Sequence, residues 1–290
     1  METTTNITQI IINTINTIFE TLFSSVDNSL YSVLDDITFI SSDILTDKNF
    51  ETLFGTSTSN GILLIANSLL LGFIIYFATK YLMSHLIYTQ SEKPTSFIFK
   101  LVIFGICMNC SFFIVQLILD LNFNITSALQ SLGEQLFNKK ICFSELINVI
   151  NSNISIENSS LNIFSIDGLI KSTLSLSLLT LVFSYSFRYV MIKILVLLSP
   201  FAFLCLTMES TKSFSRVWAK NLISLLFIQI IVVLVLLLLF SMDFSSTNLF
   251  SKFVYIGGIY ALIKANSFVR EFIGGVSTNI TQPVKNFFKI

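Results

Sequence analysis

"RYVMIKILVLLSPFAF", Arg188 to Phe203, reads as a membrane span, yet it holds two cations and a Ser199-Pro200 step. The apolar region around it runs from Leu169 to Leu206. As one straight helix that region would be about 57 Å long, nearly twice a hydrocarbon core of about 30 Å. A bend is therefore expected. Ser199-Pro200 is its natural place, because proline removes a backbone donor and clashes with the preceding turn. The reading is that Ser172–Lys193 crosses the membrane and Ile194–Leu206 continues as a kinked or interfacial segment. Arg188 and Lys193 are five positions apart, about 140° around a helix, so they cannot share one narrow seam. Lys193 then marks the inner interface, where its stem reaches headgroups. For Arg188 two readings stand: an interfacial cation of the same kind, or a charge inside the span facing protein or a wet lumen.

Working outward, the chain of 290 residues is 53% hydrophobic and 12% charged, with no net charge and a mean hydropathy of +0.79. A soluble domain carries about 25% charged residues. The expected fold is all-α: a polytopic integral membrane protein with about five transmembrane helices and an N-terminal amphipathic helix. Residues 1–60 form that extracytoplasmic segment, with Ile11, Ile15, Ile18, Leu22, Val26, Leu30, Val33 and Ile37 on one stripe. Its polar face is acidic rather than basic, so packing on protein is expected over lying on lipid. Residues 61–121 hold the first two spans, Gly61–Ala78 and Phe97–Leu119, the second closed by Asp120. Residues 122–168 are read as a long extracytoplasmic loop, with a short amphipathic helix over Ile125–Phe137. Residues 169–272 hold spans three to five, the fourth being Leu222–Phe240 with Gln229 as its only strongly polar member. Gly257-Gly258 in the fifth permits close helix approach. Residues 273–290 form a cytoplasmic tail.

Orientation follows from the loop cations. With the N-terminus outside and the C-terminus cytoplasmic, ten Lys and Arg fall inside and five outside. The alternative crosses region 169–206 twice and exports the basic tail. No basic, apolar leader opens the chain, so no cleavable signal peptide is expected. Nucleotide-binding, metalloprotease and hydrolase motifs are absent. One histidine and few intramembrane carboxylates leave little for acid–base chemistry, so no enzyme, cofactor or metal is expected. His85 reads as interfacial, and Cys107, Cys110, Cys142 and Cys205 as packing residues. Abundant Ile, Asn, Phe and Lys match an AT-rich bacterial genome.

The stretch "FRYVMIKILVLLSPFAFLCLTMESTKSFSRVWAKNLISLLFIQIIVVLVLLLL" (187–239) resembles the TrbL-type polytopic membrane subunit of conjugative type IV secretion systems. The likeness lies in an apolar helix with an internal Arg, the "LLSPFAF" break, a basic aromatic linker and a long apolar span. It covers about a fifth of the chain; the remainder agrees in layout. The large soluble C-terminal extension that some members carry is not in this chain. The resemblance implies a non-enzymatic subunit of the bacterial cytoplasmic membrane that forms homo-oligomers. It implies assembly with other secretion subunits, ATPases included, and transient contact with translocating single-stranded DNA or protein. Candidate functional or assembly residues are Arg188, Lys193, Ser199, Pro200, Lys212, Arg216, Trp218, Lys220, Gly257 and Gly258. Lys212, Arg216 and Lys220 share one helix face, with Trp218 offset. They read either as an interfacial anchor or as a contact to an ATPase or nucleic acid. A solute transporter of an unrelated family is the alternative function, and a holin-like pore a more distant one.

Overall fold

A computed structural model describes residues 33–56, 60–87, 94–154, 166–242 and 249–273, together with 10, 11, 13, 14, 17, 18 and 21. Among the described residues every regular element is helical. These are α1 (Lys48–Phe54), α2 (Ile62–Ile87), α3 (Pro94–Asn109), α4 (Ser111–Phe137), α5 (Phe143–Ile154), α6 (Ile166–Leu197), α7 (Ser199–Leu204), α8 (Lys212–Phe240) and α9 (Leu249–Ile273). Short 3-10 turns occupy Ser42–Leu45 and Cys205–Thr207, and residues 33–38 are helical. Four helical stretches are long and apolar enough to cross a membrane: Ile62–Leu86, Ser111–Phe137, Leu176–Leu197 and Lys212–Phe240. Pro94–Asn109 and Phe253–Ala265 are shorter apolar helices. The chain is a polytopic helical membrane protein.

Helix α8 is the hub. Its apolar run carries no Gly or Pro, so nothing interrupts a helix of 29 residues, about 43 Å. Helices α4, α6 and α9 pack around it. Side-chain pairings set their directions. Asn122 meets Gln229, and a methyl on Gly133 would meet Leu237, so α4 and α8 run the same way. Trp218 meets Leu195 and Gly258 lies against Leu239, so α6 and α9 run the other way. Two ends follow. The basal end holds the start of α4, the close of α6, α7 and the start of α8. The far end holds the close of α4 and the start of α9.

Two boundaries differ from expectation. The second apolar stretch is two helices: α3 stops at Asn109, and α4 begins at Ser111 and passes through Asp120 to Phe137. Asp120 does not close it, because polar Asn122 and Thr126 continue the buried face of Val115 and Leu119. Much of the expected outer loop is thus helix, in α4 and α5. The proline break falls where expected: α6 ends at Leu197 and Ser199 starts α7, with Pro200 in its first turn. There proline's missing N–H costs nothing, because first-turn donors have no intrahelical acceptor.

Residues 33–54 are not one amphipathic helix. They form a strap of helix, extended backbone, 3-10 turn and helix, with Leu34, Ile40, Leu45, Phe50 and Phe54 in the main core. The seam is shifted by one position from the expected stripe. Val33 is exposed, whereas Leu34 and polar Thr38, four residues apart, are buried. Of the earlier stripe residues, Ile11 and Ile18 are exposed; Ile15, Leu22, Val26 and Leu30 lie outside the described residues. Asp35 anchors the strap's start, accepting from the backbone N–H of Phe143 at 2.8 Å and of Ser144 at 3.1 Å. It thereby caps the N-terminus of α5, where unpaired donors and the helix dipole favour a carboxylate.

Candidate functional site

The strap leaves helical geometry at Thr38, so its backbone groups there lose their intrahelical partners. Two polar side chains from opposite helices take them over. Arg188 of α6 is 0% exposed, and its Nη2 donates to the Thr38 carbonyl at 2.7 Å. Gln229 of α8 is equally buried, and its Oε1 accepts from the Ile40 N–H at 3.2 Å. The same oxygen accepts from Asn122 Nδ2 of α4 at 3.3 Å. Tyr185, one turn before Arg188, places its ring centroid 5.6 Å from the guanidinium carbon. The Tyr185 hydroxyl donates to the Leu262 carbonyl of α9 at 3.2 Å. One polar cluster therefore joins the strap to all four helices of the bundle.

The electrostatics are unusual for a buried cation. No carboxylate pairs with Arg188 among the described residues. Its compensation is the carbonyl at the C-terminal, negative end of the 33–38 helical run and the face of the Tyr185 ring. Among the described residues Arg188 Nε and Nη1, Gln229 Nε2 and the Thr38 hydroxyl find no partner. A backbone that is not helical is tolerated at membrane depth only where protein or water satisfies it. The clamp meets that condition at two adjoining backbone groups. The contacts of the clamp hold and orient the strap: Arg188 on the Thr38 carbonyl and Gln229 on the Ile40 N–H. Among the described residues no three His, Cys, Asp or Glu stand close enough to hold a metal ion.

The other sequence candidates separate into two neighbourhoods. Lys193 is half-buried, its Nζ over the rings of Phe50 at 5.5 Å and Tyr189 at 5.1 Å. It thus touches the strap further toward the basal end. Ser199 and Pro200 are buried at the α6–α7 step, and the Ser199 hydroxyl has no partner among the described residues. Trp218 is buried as well: Nε1 donates to the Leu195 carbonyl at 2.8 Å, and the ring meets Phe203 edge-on at 5.6 Å. Ser215 donates to the Ala202 carbonyl, so the "STKSFSRVWAKN" segment is fastened from within to α6 and α7. Arg216 and Lys220 point outward, and Lys212 is partly exposed, 3.6 Å from Glu209, which Lys100 also approaches at 3.7 Å. Gly258 sits under Leu239, whereas a methyl on Gly257 would meet nothing. Only one glycine of the pair serves close approach.

Asn122 and Asp35 were not among the candidates. Gln229 was visible as the lone polar residue of its span, but its partners were not. Comparison with protein-family models, with curated proteins and with solved structures finds no match to this chain.

Proposed function

We propose that the protein is a scaffold or channel subunit of a type IV secretion (conjugal transfer) machine. It oligomerises in the bacterial cytoplasmic membrane, N-terminus outside and C-terminus cytoplasmic, and contributes to the translocation of DNA or protein. The observation that carries this reading is the behaviour of the 187–239 stretch as one unit. Its internal arginine grips the strap, its Ser-Pro step divides α6 from α7, and its basic linker is held from inside by Trp218 and Ser215. The outward cations Arg216 and Lys220 remain free to meet headgroups or an associated ATPase at the cytoplasmic face.

The test is Arg188→Leu in a host whose conjugal transfer depends on this chain. The expected result is loss of transfer with the protein still inserted in the membrane at its normal level. Saturable uptake of a small solute by the purified, reconstituted protein would overturn the reading in favour of a permease.

A further inference from the structure

Lys80 on α2 and the Lys212, Arg216 and Lys220 ladder on α8 each close a charge-free run as long as a hydrocarbon core is thick. Residues 62–79 of α2 and residues 221–240 of α8 hold no Asp, Glu, Lys or Arg. At 1.5 Å per residue they measure about 27 Å and about 30 Å, against a core of about 30 Å. A lysine at the end of such a run stands at the core's edge, with its ammonium among headgroups. Ala66 of the first run shares a buried cluster with Leu204, and Phe203 packs against the same cluster. Trp218, just ahead of the second run, meets Phe203. Both runs therefore lead away from the basal cations on the same side.

Between these ends a pocket of about 100 Å³ opens where α2, α3 and the link from α7 to α8 meet. Its apolar wall is Tyr76, Phe77 and Phe97, the last two stacked with ring centroids 3.6 Å apart. Its polar wall is Lys80, Glu209 and Ser210. Lys100 and Lys212 approach Glu209 at 3.7 Å and 3.6 Å. Three ammonium groups from three helices thus gather round one carboxylate and leave a net charge of +2. Both contacts are longer than a charge-assisted hydrogen bond of about 2.7–2.9 Å. Every partner in them is at least 32% exposed, and ion pairs so placed are weak. Among the described residues no carboxylate pairs with Lys80.

We propose that this pocket seats the phosphate of an anionic phospholipid from the adjoining leaflet. Each wall meets one part of such a molecule. The lysines donate to the phosphate oxygens as point charges, and basic pockets between membrane helices take anionic headgroups in this way. The ring wall takes the glycerol backbone and the first methylenes. The acyl chains lie on α2, whose apolar window is only 6% buried. A net charge of +2 selects a lipid with net negative charge over a zwitterionic one, which brings its own cation toward the lysines. Glu209 already bridges Lys100 of α3 and Lys212 of α8; the lipid adds Lys80 and so fastens α2 to both. The site needs only a membrane around the chain and not a role in secretion.

The experiment titrates the full chain in detergent with phosphatidylglycerol or phosphatidylcholine of the same acyl chains. Native mass spectrometry reads the bound lipid, and melting curves read its effect. Wild type is expected to hold phosphatidylglycerol at least about fivefold more tightly and to melt higher with it. Lys80→Gln should weaken phosphatidylglycerol binding about fivefold, the worth of one basic residue near an anionic surface. Lys80→Arg, which keeps the charge, should restore it. Lys139→Gln removes the same charge from an exposed position at the far end and should leave binding unchanged. Equal affinity for the two lipids overturns the proposal. A loss with Lys139→Gln as large as that with Lys80→Gln overturns it too, since it shows general charge attraction and no site. So does stabilisation by soluble glycerol phosphate equal to that by the lipid, which identifies a free phosphate as the occupant. Should Lys80→Gln fail to fold, Lys212→Gln takes its place with the same expected loss, and the lipid preference of wild type stands as a separate test.

Discussion

A guanidinium without a carboxylate is the residue-scale problem of this protein. The sequence exposed Arg188 as a misplaced charge, but a search for a counter-charge had no way to find its partner. That partner is a backbone carbonyl 150 residues away, made available only because a helix stops there. Gln229 is the sharper test, because its one oxygen serves two donors. Gln229→Leu leaves the Ile40 N–H and the Asn122 amide buried without an acceptor. The expected loss is about 1–3 kcal/mol for each group so stranded, read as a lower melting temperature in detergent. Asn122→Leu added to it should cost less than the sum of the two singles, since both break one contact. Cysteine chemistry separates outside the spans. Burial pushes the Cys205 thiol above its ordinary value, with a Thr211 hydrogen bond opposing in part, and the Cys142 thiol likewise. A raised thiol pKa means less thiolate at neutral pH. Cys110, which is exposed, should alkylate ahead of both on access alone, and the slow alkylation of Cys142 and Cys205 at neutral pH should speed up as pH is raised.

At the scale of elements, apolar runs located α2, α6, α8 and α9, because a helix that buries or lipidates its whole circumference must be apolar throughout. The same rule misplaced the end of the second span. Asn122 and Thr126 look like loop residues, yet both face the interior, where Gln229 and the helix's own carbonyls satisfy them. A pattern of residue types does not say which polar group has met its complement. Gly257-Gly258 illustrates the same limit, for only the structure tells which glycine faces α8. Gly258→Val drives a branched side chain into Leu239 and should cost about 1–3 kcal/mol by overpacking. Gly257→Ala meets open space and should be neutral or gain up to about 1 kcal/mol from helix propensity. Paired melting curves of the two variants check this. Equal destabilisation would mean that α9 is rotated from its described face.

For the whole molecule, the alternation of α4, α6, α8 and α9 ties the two ends to a topology. Lys80, Lys100, Lys212, Arg216 and Lys220 belong to the basal end or the helices that pack there, whereas Lys139 and Lys140 follow the far end of α4. The excess of cations is the ground, under the positive-inside rule, for the proposed cytoplasmic placement of the basal end. Here the loop charges were legible in the sequence, because that rule depends on composition and not on packing. The strap was not, since an acidic amphipathic pattern has the same form whether it docks outside the bundle or threads into it. Direction and packing now make a joint demand. Lys212→Cys and a cysteine at Lys139 must label from opposite sides of the membrane, because α4 and α8 run the same way and these residues sit at opposite ends of that pair. In right-side-out vesicles an impermeant maleimide should reach the Lys139 position at once and the Lys212 position only after permeabilisation. Inverted vesicles should exchange the two results. Labelling of both positions from one side would break the parallel pairing of α4 with α8, and with it the Asn122–Gln229 contact on which the clamp depends.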